Sequence, residues 1–354
     1  MSLESLSEAN VFAPVHVYEN DIYEGIHKLL LVLRPNWSKE NITFKVFTDG
    51  ITNKLVACQL KDSNTDNEIV LVRIYGNKTD LLIDRKTEIK NIKILNKLGL
   101  APQIYGIFEN GLAYQYFPGE TLNTTSVVNP KIWPLVAKNL AKMHKVQLGP
   151  EVEKQPIVWE KIEQFLTLIP ERFSDVAKHN RFVNSFGSVT RLRIEYERLK
   201  SHLIKTKSPI VFAHNDLLLG NVIYNPDKGT VAFIDFEYAA YNYQAFDIAN
   251  HFNEFVGITI DDIDYQRYPK KDFQLQWISE YLSEYLNDIK PSDDQVESLF
   301  TEVQHHSLLS HFLWGVWALI QYEHSSIDYD FGRYAEIRFN RYFEIKNHIL
   351  GEIS

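Results

Sequence analysis

Three residues in the stretch VFAHNDLLLGNVIYNPDKGTVAFIDFEYAAYNYQAFDIANHFN, which runs from Val211 to Asn253, have the types and spacing that phosphoryl transfer from a nucleotide requires. Asp216 can accept the proton of a hydroxyl. Asn221 follows five positions later and Asp235 closes a second hydrophobic run, so both can offer oxygens to magnesium between phosphate groups. An oxygen-only pair suits that ion, which keeps several waters and completes its shell with substrate phosphates. The chemistry expected is that of a kinase. Ordinary turn-forming Asp and Asn residues flanking a hairpin are the bland alternative, and it needs three coincident spacings. His214 reads as a buried imidazole tying the loop together rather than as a catalyst.

The elements that must position these groups are legible around them. VFAH is a short apolar run ending at a polar loop, and NVIY and TVAFID are β-branched and aromatic runs joined by NPDKG, whose Pro fixes φ and whose Gly tolerates positive φ. A hairpin of this length brings Asn221 and Asp235 back toward one another. The order His214-Asn215-Asp216 through Asn221, then Asp235-Phe236, matches the catalytic loop and the Asp-Phe of the protein-kinase signature. Glu237 stands where a protein kinase has Gly, no Ala-Pro-Glu follows, and no Gly-x-Gly-x-x-Gly lies near the N-terminus. A protein substrate is therefore not expected.

Upstream, apolar residues at helical spacing predict a helix over 21–33, stopped by Pro35. Residues 42–47 alternate as a strand, and a polar turn over 48–54 leads into LVACQL. EIVLVRIY, residues 68–75, is a strand whose Arg73 interrupts an apolar run. A cation inside a buried strand is costly unless an anion meets it. Protein kinases place a lysine here, and Arg73 can serve the same phosphates, with its partner expected from the helix over 84–98; an edge-strand arginine facing solvent is the alternative. Ile89, Ile92, Leu95 and Leu98 form the expected buried face of that helix. QIYGIF and LAYQYF predict two strands turning at Glu109-Asn110-Gly111, and Pro118-Gly119 breaks the pattern. A helix over 134–145 closes with Met143-His144, and 157–207 is mostly helical scaffold with no assigned chemistry.

Beyond Asp235 the chain is rich in aromatic residues, with Tyr238, Tyr241, Tyr243, Phe246, Phe252 and Phe255 close together. Asp247, Asn250, His251 and Glu254 are three and four apart, on one side of a helix. A carboxylate buried among rings needs a cation, so Asp247 and Glu254 are candidates to meet an ammonium, directly or through a network of loop arginines; capping by Asp247 is an equal alternative. In LWGVWALIQ, Trp314 and Trp317 face the same way, with Gly315 allowing close approach. Such a pair belongs to a core more often than to a ligand box.

The 354 residues are 45% hydrophobic and 13% aromatic, enough for a buried core in one two-lobed unit. A net charge of -9 argues against a nucleic-acid partner, which needs a basic stripe. The single cysteine, Cys58, excludes an intrachain disulfide and suits a reducing cytosol. No apolar run spans a bilayer and the first ten residues are too polar for a signal peptide, so a cytoplasmic chain without membrane insertion is expected. Oligomeric state is not legible, and a homodimer is left open.

HNDLLLGNVIY, IDFEYAAYNYQAFDIANHFNE, LVRIYGNKTDLLIDR and HFLWGVWALIQ together resemble the choline and ethanolamine kinases, from about Ile42 to the end of the chain. The resemblance implies an α+β, two-lobed protein-kinase-like fold of the aminoglycoside-phosphotransferase type. Its small β-rich nucleotide-binding lobe would span residues 1–117 and its larger helical catalytic lobe 118–354. It implies transfer of the γ-phosphate of ATP, with Mg2+, to a small amino alcohol. Asp216 would be the base and Asn221 and Asp235 the metal ligands. Arg73, oriented by Glu88, would meet phosphate. The turn carrying Thr52 and Asn53 would lie over the triphosphate, where residue types alone favour an ordinary hairpin turn, and the adenine edge would bond to backbone at Gln115 and Phe117. Tyr238, Trp314, Trp317, Tyr329 and Tyr334, with Asp247 and Glu254, would form the alcohol site, where cation–π contact contributes roughly 0.5–2 kcal/mol per good face. LVRIYGNKTDLLIDR and SSIDYDFGRYAEIRFNRYF favour ethanolamine, and with it entry into phosphatidylethanolamine synthesis by the CDP-ethanolamine route; Gly315 is closer to the choline-kinase wording of its helix. A choline or dual-specificity kinase and a catalytically silent kinase-fold scaffold are the competing readings.

Overall fold

Period-two alternation in the first third of the chain produces one mixed sheet. The computed structural model describes residues 11–47, 53–61, 68–76, 84–325 and 327–351. In chain order the sheet unit holds β1 (Val11–Ala13), α1 (Ile22–Leu33), β2 (Ile42–Phe47), β3 (Asn53–Leu60), β4 (Val70–Tyr75), α2 (Arg85–Lys97), β5 (Ile104–Phe108) and β6 (Gly111–Gln115). The strands run in the order β1-β5-β6-β4-β3-β2, antiparallel except for β1 on β5. Ile26, Leu29, Leu30 and Leu33 of α1 pack on Val70, Val72 and Ile74 of β4, together with Val56, Cys58 and Phe108. Leu71 faces the other way, with Ala57 and Ile69. Arg73 has the parity of Leu71, so it leaves the sheet on the face opposite α1. β4 lies between β3 and β6, which removes the edge-strand alternative for Arg73. Gly111 is required at the β5–β6 turn, because a Cβ there would stand 2.1 Å from the Arg73 carbonyl oxygen and 2.2 Å from the Phe108 ring.

This unit is not continuous in sequence: besides residues within 1–120 it takes in 148–151 and 223–238. The added segment brings most of the hairpin β9 (Val222–Asn225) and β10 (Thr230–Phe233), which forms a small sheet with β7 (Glu120–Thr121) in the order β10-β9-β7.

The second unit is mainly helical. It contains α3 (Trp133–His144), α4 (Val158–Leu168), α5 (Val176–Phe186), α6 (Val189–Leu203), β8 (Ile210–Ala213), β11 (Ala240–Tyr243), α7 (Gln244–Asn253), α8 (Lys271–Tyr285), α9 (Asp293–His324) and α10 (Phe331–Leu350). The 32-residue α9 starts in a capping box between Ser292 and Gln295, and packs on α7, α8 and α10. All ten residues of α7 are buried, so its Asp247, Asn250, His251 and Asn253 must find partners inside the protein. The α+β class, with a β-rich and a helical part, is as expected.

One packing expectation is corrected. Leu98, assigned to the buried face of α2, is 57% exposed, and the inward residues are Glu88, Asn91, Ile92, Ile94 and Leu95. The helix is rotated because its buried stripe includes the carboxylate that a cation on β4 requires.

Candidate active site

The loop carrying Asp216 begins where β8 ends, beside β11, with Ala213 opposite Ala240. Its backbone is held by side chains of α7. Asp247 accepts the His214 and Asn215 amide N–H groups, one on each carboxylate oxygen, both at 2.7 Å. Asn250 donates from Nδ2 to the Asn215 carbonyl at 3.3 Å, and His251 Nδ1 lies 3.0 Å from the Leu217 carbonyl oxygen. Positions 247, 250 and 251 thus serve the main chain of the loop. Asn215 takes φ 66°, a left-handed conformation that Asn tolerates, and Asn242 donates to its side-chain oxygen at 2.8 Å. His144, the last residue of α3, stands 2.9 Å from Asp247 through Nε2 and 2.7 Å from the Tyr281 hydroxyl through Nδ1. Burial pushes the Asp247 carboxyl up, but His144 and the His214 amide outweigh it and hold the group below the ordinary carboxylate range. Burial also pushes His251 down to about 4, leaving a neutral ring that donates to Leu217.

Asn221 donates from Nδ2 to the Asp216 carbonyl oxygen at 2.8 Å, which orients the amide and leaves Oδ1 as its acceptor. That oxygen fits a hard divalent ion. Asp216 is 8% exposed and Asn221 likewise.

In the sheet unit, Arg73 is 6% exposed and doubly paired, through Nη2 to Glu88 Oε1 and through Nη1 to Asp235 Oδ1 at 3.0 Å. Burial opposes its charge, yet Glu88 and Asp235 raise its pKa well above the usual value. Arg85 Nη1 reaches both Glu88 Oε2, at 3.1 Å, and Glu237 Oε2, at 3.0 Å. Burial pushes Glu237 up to about 7, with the charge of Asp235 adding to the rise and the two arginines opposing it. Asp235 adopts φ 63°, and its side chain is 30% exposed while those of Glu88 and Glu237 are 0% and 4%. It is the most exposed carboxylate of this group.

The expected aromatic residues of the helical unit form a continuous series. Trp314 meets Trp317 edge-on at 5.6 Å, Trp317 meets Phe331 at 5.8 Å, Phe331 meets Tyr329 at 4.8 Å and Tyr329 meets Tyr334 at 6.2 Å. Tyr334 is raised by burial first, and Arg338, Glu254, Tyr329 and Asp216 all act on it electrostatically, so the series reaches the vicinity of Asp216.

The structure gives several expected ligand residues partners within the protein. Asp247 has both oxygens engaged by the main chain of the loop, which corrects it from an ammonium contact to a brace of the loop. Glu254 is paired with Arg338 at 2.8 Å, an arginine partner of the kind expected as its alternative, and Arg338 lies 5.3 Å over the Tyr334 ring. Trp314 donates from Nε1 to Asn250 Oδ1 at 2.7 Å, where Ser310 also donates, so it braces the loop as well as joining the ring series. The Gln115 amide N–H donates to the Gln103 carbonyl at 2.9 Å, which leaves an adenine contact there to its carbonyl oxygen; among the described residues no hydrogen bond engages the Phe117 backbone. Thr52 lies outside the described residues. Asn53 opens β3. Tyr238, half-buried, belongs with 223–238 in the sheet unit.

Sequence reasoning missed His144, Asn215, Arg85 and Phe331 as participants. His144 had a weak signal, a histidine closing an amphipathic helix. The others act through main-chain or long-range contacts that residue type does not announce.

Comparison with known proteins places this arrangement in context. Residues 44–343 match the family model described as Choline/ethanolamine kinase. The chain is 44% identical to an ethanolamine kinase of Drosophila melanogaster over 98% of its own length and 82% of that protein. It is 44% identical to ethanolamine kinase 1 of Homo sapiens over 94% and 73% of the two chains. Among solved structures it is similar to an ethanolamine kinase of Plasmodium vivax, with TM-score 0.79 and 29% identity over 92% of this chain and 89% of that one. A choline kinase of Cryptosporidium parvum, at TM-score 0.70 and 24% identity over 90% and 92% of the two chains, shares the fold.

Proposed function

This chain belongs to the choline/ethanolamine kinase family, and we propose that it transfers the terminal phosphoryl group of ATP to the hydroxyl of ethanolamine, the first step of phosphatidylethanolamine synthesis by the CDP-ethanolamine route. The observation that carries this is the 44% identity to ethanolamine kinases across nearly the whole chain, with Asp216, Asn221, Asp235 and Arg73 all in place.

In this reading Asp216 positions the alcohol and takes its proton. The hydrogen bonds from α7 keep the loop in one conformation, so little ordering is left for the reaction itself. Asn221 and Asp235 offer the oxygens for magnesium, and the ion would supply charge neutralisation on the phosphates. Arg73, held by Glu88, would meet the nucleotide phosphates. The Phe117 backbone, which no hydrogen bond among the described residues engages, is the better candidate for an adenine donor. Residues 1–117 with 223–238 form the nucleotide-binding part of this assignment, and the remainder carries the base and the alcohol site. Its setting is read as cytoplasmic: no described helix is long and apolar enough to cross a membrane, and the buried thiol of Cys58 is free.

A second reading, choline as substrate, has a specific observation in its favour. Glu254, Asp247 and Asn250 are committed to protein partners, which leaves rings more than acceptors, and a quaternary ammonium is satisfied by rings alone. A primary ammonium has three donors to place, and the Asp216 carboxylate with the Tyr329 and Tyr334 hydroxyls are the acceptors proposed for them. Turnover of the two alcohols by the purified protein at saturating ATP and magnesium separates the readings. Faster phosphorylation of ethanolamine is expected, and an equal or greater rate on choline overturns the assignment.

A further inference from the structure

The two arginines and three carboxylates of the sheet unit close into a ring. Asp235 pairs with Arg73, Arg73 with Glu88, Glu88 with Arg85, and Arg85 with Glu237, which is two residues from Asp235 on the same segment. Strand β4, helix α2 and segment 235–237 are thereby tied through alternating charges. Arg85 holds two of these carboxylates, Glu88 and Glu237, through one nitrogen.

Arg85 is the first residue of α2, where a cation opposes the helix dipole. The helix gains nothing electrostatically from an arginine there. Its side chain is nevertheless only 12% exposed and lies 4.0 Å over the Tyr75 ring, so its stem and head are held inward toward Glu88 and Glu237. Glu88 thus sits between the two arginines, one carboxylate oxygen on each, and Arg85 fixes the carboxylate that in turn fixes Arg73.

We propose that Arg85 is a positioning residue for the nucleotide: by holding Glu88 and Glu237 it keeps the Arg73 guanidinium directed toward phosphate. This rests on the reading of Arg73 as the phosphate-binding cation. Arg85 touches neither reactant in this scheme and acts through Glu88 and Arg73.

The test is steady-state kinetics of the purified full chain with ATP, ethanolamine and Mg2+ varied in turn. Arg85→Met is expected to raise the KM for ATP about tenfold or more, as loss of a supporting group typically does, with the KM for ethanolamine within about twofold of native. Arg85→Lys is expected to recover most of the loss, since a single nitrogen, Nη1, makes both contacts and an ammonium can stand in its place. If Arg85→Met does not fold, Arg85→Gln, which keeps a donor without the charge, carries the same expectation. An unchanged ATP KM, or equal rises in both KM values with no recovery in Arg85→Lys, overturns the proposal and leaves Arg85 a staple between helix and segment. Arg73→Met, measured alongside, separates the premises. An ATP KM unaffected by Arg73→Met defeats the phosphate-binding reading itself, whereas sensitivity to Arg73 without sensitivity to Arg85 defeats only the inference drawn here.

Discussion

Replacing Asp247 by Asn tests whether the loop is held by charge. The carboxylate of Asp247 is fully buried and receives the His214 amide and the His144 ring on Oδ2 and the Asn215 amide on Oδ1. Asparagine keeps the shape but has one oxygen, so its NH2 group must face one of the two amide donors. One charge-assisted bond, worth about 1.5–3 kcal/mol, is lost, and a buried N–H is left opposite another donor at a further cost of about 1–3 kcal/mol. A destabilisation of about 3–5 kcal/mol is expected, a large part of the 5–15 kcal/mol typical of folded proteins. The relaxed loop displaces Asp216, and a shift of about 1 Å in a reacting group costs on the order of 100-fold in rate. Urea unfolding followed by tryptophan fluorescence measures the first quantity, and kcat with ethanolamine the second. ATP-analogue binding should be unchanged, since the residues proposed for the nucleotide lie elsewhere. An Asn variant with native stability within about 1 kcal/mol and undiminished kcat would refute the idea that Asp247 governs the loop.

Asp216→Asn should abolish phosphoryl transfer while calorimetry still detects a non-hydrolysable ATP analogue; full activity would remove Asp216 as the base. Gly315→Ala puts a Cβ 2.7 Å from the Phe339 ring, where overpacking costs about 1–3 kcal/mol, so a lower unfolding midpoint with unaltered ATP KM is expected. His251 and His306 are both pushed down to about 4 by burial. Between about pH 6.5 and pH 4 the unfolded chain therefore binds two protons that the folded chain refuses. Stability is full above that window and falls on acidification through it by about 3 kcal/mol per histidine. Urea midpoints against pH report this, and His306→Gln should flatten the slope.

The phosphoryl-transfer groups were legible because their chemistry fixes residue type and spacing together. Asp216, Asn221 and Asp235 are recognisable for that reason, and Arg73 is conspicuous because a cation in an apolar strand demands an anion, which Glu88 supplies. The same logic failed one step later on α2, where Ile89 and Leu98 suggested a purely apolar stripe. Its inward face is set by Glu88 and Asn91, which periodicity counts as outward. Asp247 and Glu254 show a different limit. Both were expected near a cation, but a carboxylate among rings satisfies itself equally with amide N–H groups 32 and 33 residues upstream, or with an arginine 84 residues downstream. Main-chain partners leave no trace in residue type, which is also why the bond from the Gln115 N–H to Gln103 could not be foreseen. The Trp314–Trp317 spacing correctly put the rings together, while the tie from Trp314 to Asn250 depends on how α7 and α9 cross.

The interleaved make-up of the sheet unit bears on how the chain acquires its structure during synthesis. When residue 120 leaves the ribosome, Arg73 has Glu88 but not Asp235, and Arg85 lacks Glu237. Those carboxylates emerge only after another hundred or so residues, which must themselves begin to collapse first. The nascent amino-terminal third therefore waits, without these two carboxylates and short of a hairpin, until position 238 has been translated. Cutting the gene at the lobe junction should accordingly yield an aggregation-prone fragment instead of a free-standing nucleotide-binding module.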